Sequence, residues 1–172
     1  MILDETYFTK EPLLIDGVSA SNGYSSNITN QKLIEFRAAI DEFEAEYLQM
    51  LLGDDLYDEF VDTYTDVKWN DFKALLFNAT TKVSPIANYV YVQYIHRKYV
   101  ISIGDKAYNL KASDNLVQVP PVARMKAAWR PSIKKNLRLQ EYLLENYESL
   151  DVSADLDTTN WDLLTEMENM YF

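Results

Sequence analysis

Residues 84–101 read Ser84-Pro85-Ile86-Ala87-Asn88-Tyr89-Val90-Tyr91-Val92-Gln93-Tyr94-Ile95-His96-Arg97-Lys98-Tyr99-Val100-Ile101, and whether this run is a strand or a helix decides the fold. Its Tyr, Val and Ile content favours a strand by intrinsic propensity. The start argues the other way. Ser84 before Pro85 is an N-cap followed by proline at the first helical position, where the missing N–H costs nothing. A run of this length, apolar nearly all round, is expected to be a buried central helix.

The flanks agree with a helical protein. Upstream, Asn30 is a candidate N-cap, and Leu33, Phe36, Ile40, Phe43, Tyr47, Leu48 and Leu51 follow at spacings of three and four with acids between them. Gly53 then stands as a C′ residue, and Asp54 or Asp55 can cap a short helix through Leu56, Phe60, Val61 and Tyr64. Asp66 or Val67 opens a third piece with Trp69, Phe72, Leu75 and Leu76 as its stripe. Downstream, 102–120 is a long loop or small hairpin, and helix returns from Pro121 through Val122, Met125 and Trp129. Pro131 should kink or restart it, because proline clashes with the carbonyl four residues back. Ile133, Leu137, Gln140, Leu144 and Tyr147 then continue at helical spacing to about Glu148.

The ends differ from the middle. Residues 1–28 mix Pro12, Gly17 and Gly23 with a Ser/Asn cluster and are expected to be an extended N-terminal arm. Residues 29–148 form the helical domain, and 149–172 an acidic tail in which Thr159-Asn160-Trp161-Asp162 resembles a capping box for a last short amphipathic helix. The fold class is all-α, a bundle of about five to six helices with an arm, a loop and a tail. Only four glycines in 172 residues support this, since a strand-rich chain would need more turn residues.

Charge is distributed in zones. The net charge is −11. After Arg138 there is no Lys or Arg, while nine Asp and Glu residues follow. Glu35 to Asp71 holds twelve acids against Arg37 and Lys68, and Arg97 to Arg138 holds ten basic residues against Asp105 and Asp114. One reading is three solvated faces of a monomer. The other is complementary surfaces that meet between identical subunits, with Arg124, Lys126, Arg130, Lys134 and Lys135 on one side and Asp41, Glu42 and Glu46 on the other. Nucleic-acid binding by the basic stretch is disfavoured by its two acidic neighbours.

Chemistry finds few footholds. The chain has no cysteine and one histidine, His96, so disulfides, thiolate metal sites and paired-imidazole sites within a subunit are excluded. No Glu-x-x-His pattern, calcium-loop spacing, glycine-rich phosphate loop or Gly-x-Ser-x-Gly occurs. Asp41, Glu42, Glu44 and Glu46 read as the wet side of a helix, and His96 as a structural residue. No catalytic residue, cofactor or metal is expected. No apolar run approaches the ~20 residues that cross a bilayer, and Met1-Ile2-Leu3-Asp4-Glu5 lacks a signal peptide's basic start. Thirteen tyrosines, seven phenylalanines and three tryptophans are many for one helical core. Trp161, Leu164, Met167, Tyr171 and Phe172 are therefore expected to dock on a partner or sister subunit, the alternative being that they fold back on their own domain.

The run Phe43-Glu44-Ala45-Glu46-Tyr47-Leu48-Gln49-Met50-Leu51-Leu52-Gly53-Asp54-Asp55-Leu56-Tyr57-Asp58-Glu59-Phe60 resembles the helix–Leu-Leu-Gly–helix signature of head–tail connector (adaptor, neck-ring) proteins. Those proteins come from tailed bacteriophages of the crAss-like, Bacteroidales type. Lys68-Trp69 to Leu76, Ser84 to Tyr94 and Met125-Lys126-Ala127-Ala128-Trp129 match in order, so the similarity covers about residues 30–148, while Pro131 and the acidic tail depart from it. The resemblance implies a virion structural protein in the phage neck, made in the bacterial host cytoplasm. Its subunits form a closed ring, commonly twelve-fold, that binds the portal and further neck or tail proteins and lets DNA pass without gripping it. It implies no active site, cofactor or membrane contact. A cytoplasmic helical adaptor that inserts residues 161–172 into a partner's groove is the alternative, and a metal-dependent hydrolase using the acidic helix is a third reading.

Overall fold

A computed structural model describes residues 2–15, 27–105 and 121–166, with side chains for 2–15, 31–98 and 122–166. The described chain is all-α. Six α-helices occur among these residues: α1 (Asn27–Leu52), α2 (Asp54–Asp62), α3 (Asn70–Leu76), α4 (Pro85–Asp105), α5 (Pro121–Asn146) and α6 (Trp161–Thr165). Short 3-10 turns precede α1 and α3 and follow α5.

The decisive run is helical. The Ser84 hydroxyl accepts N–H bonds from Ile86 and Ala87, at 3.1 and 3.4 Å, and donates to the Leu76 carbonyl at 2.8 Å. One side chain therefore starts α4 and closes the end of α3. Ile86 to Tyr94 is buried without a break, so α4 is the central element, packed against α1 and α5. Its aromatics meet those of other segments edge-on. Phe36 of α1 contacts Phe8 and Tyr94 with ring centroids 4.9 and 4.8 Å apart, and Phe60 of α2 gathers Tyr64, Trp69 and Phe72. His96 lies half-buried on α4.

Several sequence expectations change on the folded chain. Over residues 2–15 the expected extended arm belongs to the core, because Leu3, Tyr7, Phe8, Leu13 and Ile15 are buried. Their apolar area is too large to leave in water. α4 extends to Asp105, into the expected loop, and 106–120 lies outside the described residues. Pro131 does not restart α5, which runs through it. Carbonyls near the proline gain side-chain donors instead: Asn88 Nδ2 reaches Ala128 O at 2.6 Å and Ser132 Oγ reaches Trp129 O at 2.7 Å. The expected capping box is not formed, since α6 begins after Asn160 with no side-chain cap while Thr159 N–H donates to Asp157 at 2.8 Å.

Gly53 joins α1 to α2 and is required twice over. Its φ is +80°, a region that L side chains avoid, and a Cβ built there would lie 2.6 Å from Cβ of Asp157. Gly53→Ala is expected to cost about 2 kcal/mol or more, from backbone strain together with displacement of the tail. Urea unfolding of the variant beside the parent measures it.

Candidate interaction surface

The surface follows from how the chain's loose ends are held. A helix leaves its last carbonyls without partners. At the end of α1 the tail supplies them: Trp161 Nε1 donates to Leu51 O at 2.8 Å, and Asp157 N–H to Leu52 O at 3.3 Å. α5 returns the favour to α6, through Asn136 Nδ2 to Leu164 O at 2.6 Å and Gln140 Nε2 to Trp161 O at 3.1 Å. The Asn136 amide oxygen accepts from Tyr47 Oη at 2.8 Å, so one buried side chain ties α1, α5 and α6. Leu164 is fully buried in this arrangement. Trp161 and Leu164, expected to seek a partner, are thus packed on their own domain; Met167, Tyr171 and Phe172 lie outside the described residues.

Two carboxylates hold the non-helical segments. Glu44, expected on the wet side of α1, is buried and accepts N–H bonds from Ile2 at 2.6 Å and Leu3 at 2.8 Å. Burial pushes its carboxyl above the ordinary value against the pull of those two amides. Glu59 of α2 accepts from Ser153 N and Oγ, both at 2.8 Å, from Ala154 N at 3.0 Å and from Lys68 Nζ at 3.1 Å. Burial raises its pKa, but those four donors outweigh it and bring the carboxyl down to about 2.

The acidic and basic zones meet first within the protomer. Arg97 of α4 forks onto Glu42 of α1 at 2.5 and 2.8 Å, Lys98 lies 3.4 Å from Glu35, Arg37 lies 2.5 Å from Glu5, and Arg124 lies 3.6 Å from Glu11. Glu42 and Arg124, expected at subunit contacts, therefore have partners at home. Asp41 and Glu46 are exposed on α1, and Lys126 is half-buried. Arg130 and Lys134 are exposed on α5, and Lys135 is half-buried beside them.

The register of α5 departs from the expected stripe. Gln140 is buried and Ile133 and Tyr147 pack against the core as expected, but Ser132, Asn136, Leu139 and Leu143 are buried as well, in place of Leu137 and Leu144. The three buried polar residues, Ser132, Asn136 and Gln140, each donate to a carbonyl. Leu137 and Leu144 are consequently turned out, 52% and 67% exposed, and with Gln140, Glu141, Glu145 and Trp161 they line a shallow groove of about 530 Å³. A second groove, of about 410 Å³, runs along the other side of Arg138, Glu141 and Glu145 against α3. The ridge between them is basic at Arg130, Lys134 and Arg138 and acidic at Glu141 and Glu145. Only Glu145 stands in the last turn, where the helix macrodipole disfavours an acid by about a few tenths of a kcal/mol; the basic residues lie mid-helix, where that effect has faded.

No described helix is long and apolar enough to cross a membrane. Compared with known proteins, the chain matches no family model, and no curated protein and no solved structure resembles it significantly.

The Glu59 clamp carries a pH dependence with a definite sign. The folded carboxyl titrates near 2 and an unstrained one near 4.5, so its contribution is present above about 4.5 and disappears as pH falls toward 2. Glu59→Gln should expose 151–160 to proteolysis at neutral pH, and the gap between variant and parent should close as the digestion is made more acidic. An acid-stable protease with mass-spectrometric mapping reads this out.

Proposed function

We propose that this chain is a subunit of a head–tail connector ring in a tailed bacteriophage, which binds the portal and links capsid to tail while DNA passes through. The observation that carries the proposal is the α5 ridge: basic then acidic along its length, with Leu137 and Leu144 turned to solvent beside it. A ring closes through heterologous contacts, in which one patch meets a different patch. A bipolar ridge offers both signs to its two neighbours, and the leucines offer apolar area at the same place.

Two further features support the reading. The Leu51-Leu52-Gly53 turn that carries the resemblance joins two helices packed on each other, and both leucines are buried. A subunit of net charge −11 suits a conduit that repels phosphates rather than holding them. The work proposed is architectural and involves no catalysis. The adaptor alternative loses support from the placement of α6, whose Trp161 and Leu164 already serve the chain's own helices.

Native mass spectrometry and electron microscopy of the purified protein, alone and with its portal, provide the test. Closed rings or a portal complex are expected, and a monomer that ignores the portal at all concentrations sinks the proposal. Reversing Arg130 and Lys134 to glutamate should weaken assembly more at low salt than at high salt, because exposed charge pairs are screened. Sedimentation velocity at the two salts reads the difference.

A further inference from the structure

A cavity of about 450 Å³ opens between the N-terminal segment, the turn before α4 and the middle of α5. That volume lies within the roughly 300–1,000 Å³ typical of ligand pockets. Its apolar walls are Tyr7, Pro12, Leu13, Val83 and Pro131. Three lysines, Lys10, Lys82 and Lys135, also line it, against one acid, Glu11, whose carboxylate is turned to Arg124 at 3.6 Å. In a protein of net charge −11 this is a positively charged recess.

Two of the lysines, Lys82 and Lys135, are constrained by their surroundings. Lys82 has φ +55°, a strained backbone for a residue with a side chain. Its Nζ lies 4.8 Å from the Tyr7 ring centroid and 3.6 Å from Asp4. Lys135 is half-buried on α5 and has no ion-pair partner among the described residues. Burial alone pushes its ammonium below the ordinary value. An incoming carboxylate returns part of the hydration that a half-buried cation has lost.

A matching ligand is written in the chain itself. Residues 166–172 read Glu166-Met167-Glu168-Asn169-Met170-Tyr171-Phe172, two carboxylates among methionines and aromatics. We infer that this cavity binds an acidic, apolar peptide, and that its occupant is the 166–172 segment of a second copy of the chain. Carboxylates meet Lys10 and Lys135, and the Met, Tyr and Phe side chains fill the Tyr7, Leu13 and Val83 walls. This inference deepens the ring reading and rests on it, since it makes the tail a strap between neighbours.

A labelled peptide of residues 166–172, titrated into the full-length protein by fluorescence anisotropy, is the first measurement. Saturable binding is expected, weakened by salt and reduced at least about tenfold by Lys10→Glu or Lys135→Glu. Lys32→Glu, which alters an exposed lysine of α1 outside the cavity, should leave it unchanged. Lys10 is exposed, so its variant remains informative if Lys135→Glu fails to fold. The second measurement mixes a Lys10→Glu/Lys135→Glu chain with a Glu166→Lys/Glu168→Lys chain and looks for mixed oligomers by native mass spectrometry. Mixed oligomers support a strap between copies. Their absence, with all four changes in one chain restoring a stable monomer, means the tail fills its own cavity and overturns the inference. Peptide binding indifferent to the lysines overturns it too. Rings that persist in Lys10→Glu/Lys135→Glu overturn it and leave the connector reading standing, whereas lysine-dependent peptide binding by a protein that never forms rings upholds the site and counts against the connector.

Discussion

Backbone groups that helices cannot satisfy for themselves determine how this molecule is put together. Among the described residues, two non-helical segments are held by carboxylates of helices, and three helix ends are closed by a neighbouring segment. Glu44 takes the amides of Ile2 and Leu3, and Glu59 takes those of Ser153 and Ala154. Ser84 closes α3, the tail closes α1, and Asn136 and Gln140 close α6. An unpaired buried peptide group costs about 1–3 kcal/mol, so these contacts set where the segments lie more firmly than their modest net gain suggests. Tyr47, Asn136 and Leu164 O make one continuous buried chain of such bonds across three helices.

The two clamping carboxylates pull in opposite directions with pH. Glu59 has a depressed pKa and favours folding above the ordinary carboxylate range. Glu44 has a raised one, so its contribution is fully present only below that range and declines as pH rises. The tail is therefore fastened at neutral pH by a fully ionised group. The N-terminal segment is fastened by one that carries its charge at some cost.

Satisfying the interior also shaped the outside. Because Ser132 and Asn136 occupy core positions, α5 is rotated so that Leu137 and Leu144 leave the core, and the ridge of Arg130, Lys134, Arg138, Glu141 and Glu145 is presented to solvent. The strongest opposite charges elsewhere are spent within the protomer, as with Arg97 and Glu42. The exposed ridge of α5 left by that packing, together with the lysine-lined cavity, is what a neighbouring molecule would meet. Ring assembly as proposed uses this residue of the folding problem.

Local signals were sufficient for the elements. The Ser84-Pro85 start, the three-and-four spacing from Leu33 to Leu51, the break at Gly53 and the stripe of Trp69, Phe72 and Leu76 are short-range features, and short-range sterics and capping act before any tertiary contact exists. The burial of Tyr89, Tyr91 and Tyr94 followed from the same reading. On α5 the stripe held at Ile133, Gln140 and Tyr147 and failed at Leu137 and Leu144, because periodicity weighs hydrophobicity and has no knowledge that an asparagine will be needed by a carbonyl 28 residues away. Nothing in the sequence pairs Glu59 with Ser153, 94 positions apart, or shows that Leu3 and Phe8 enter the core. Thus the sequence by itself determined the all-α class, the break at Gly53 and the uneven charge. Only the tertiary structure decided which carboxylates are buried, where the tail lies and which leucines face out, since those depend on long-range partners for backbone groups that no local pattern records.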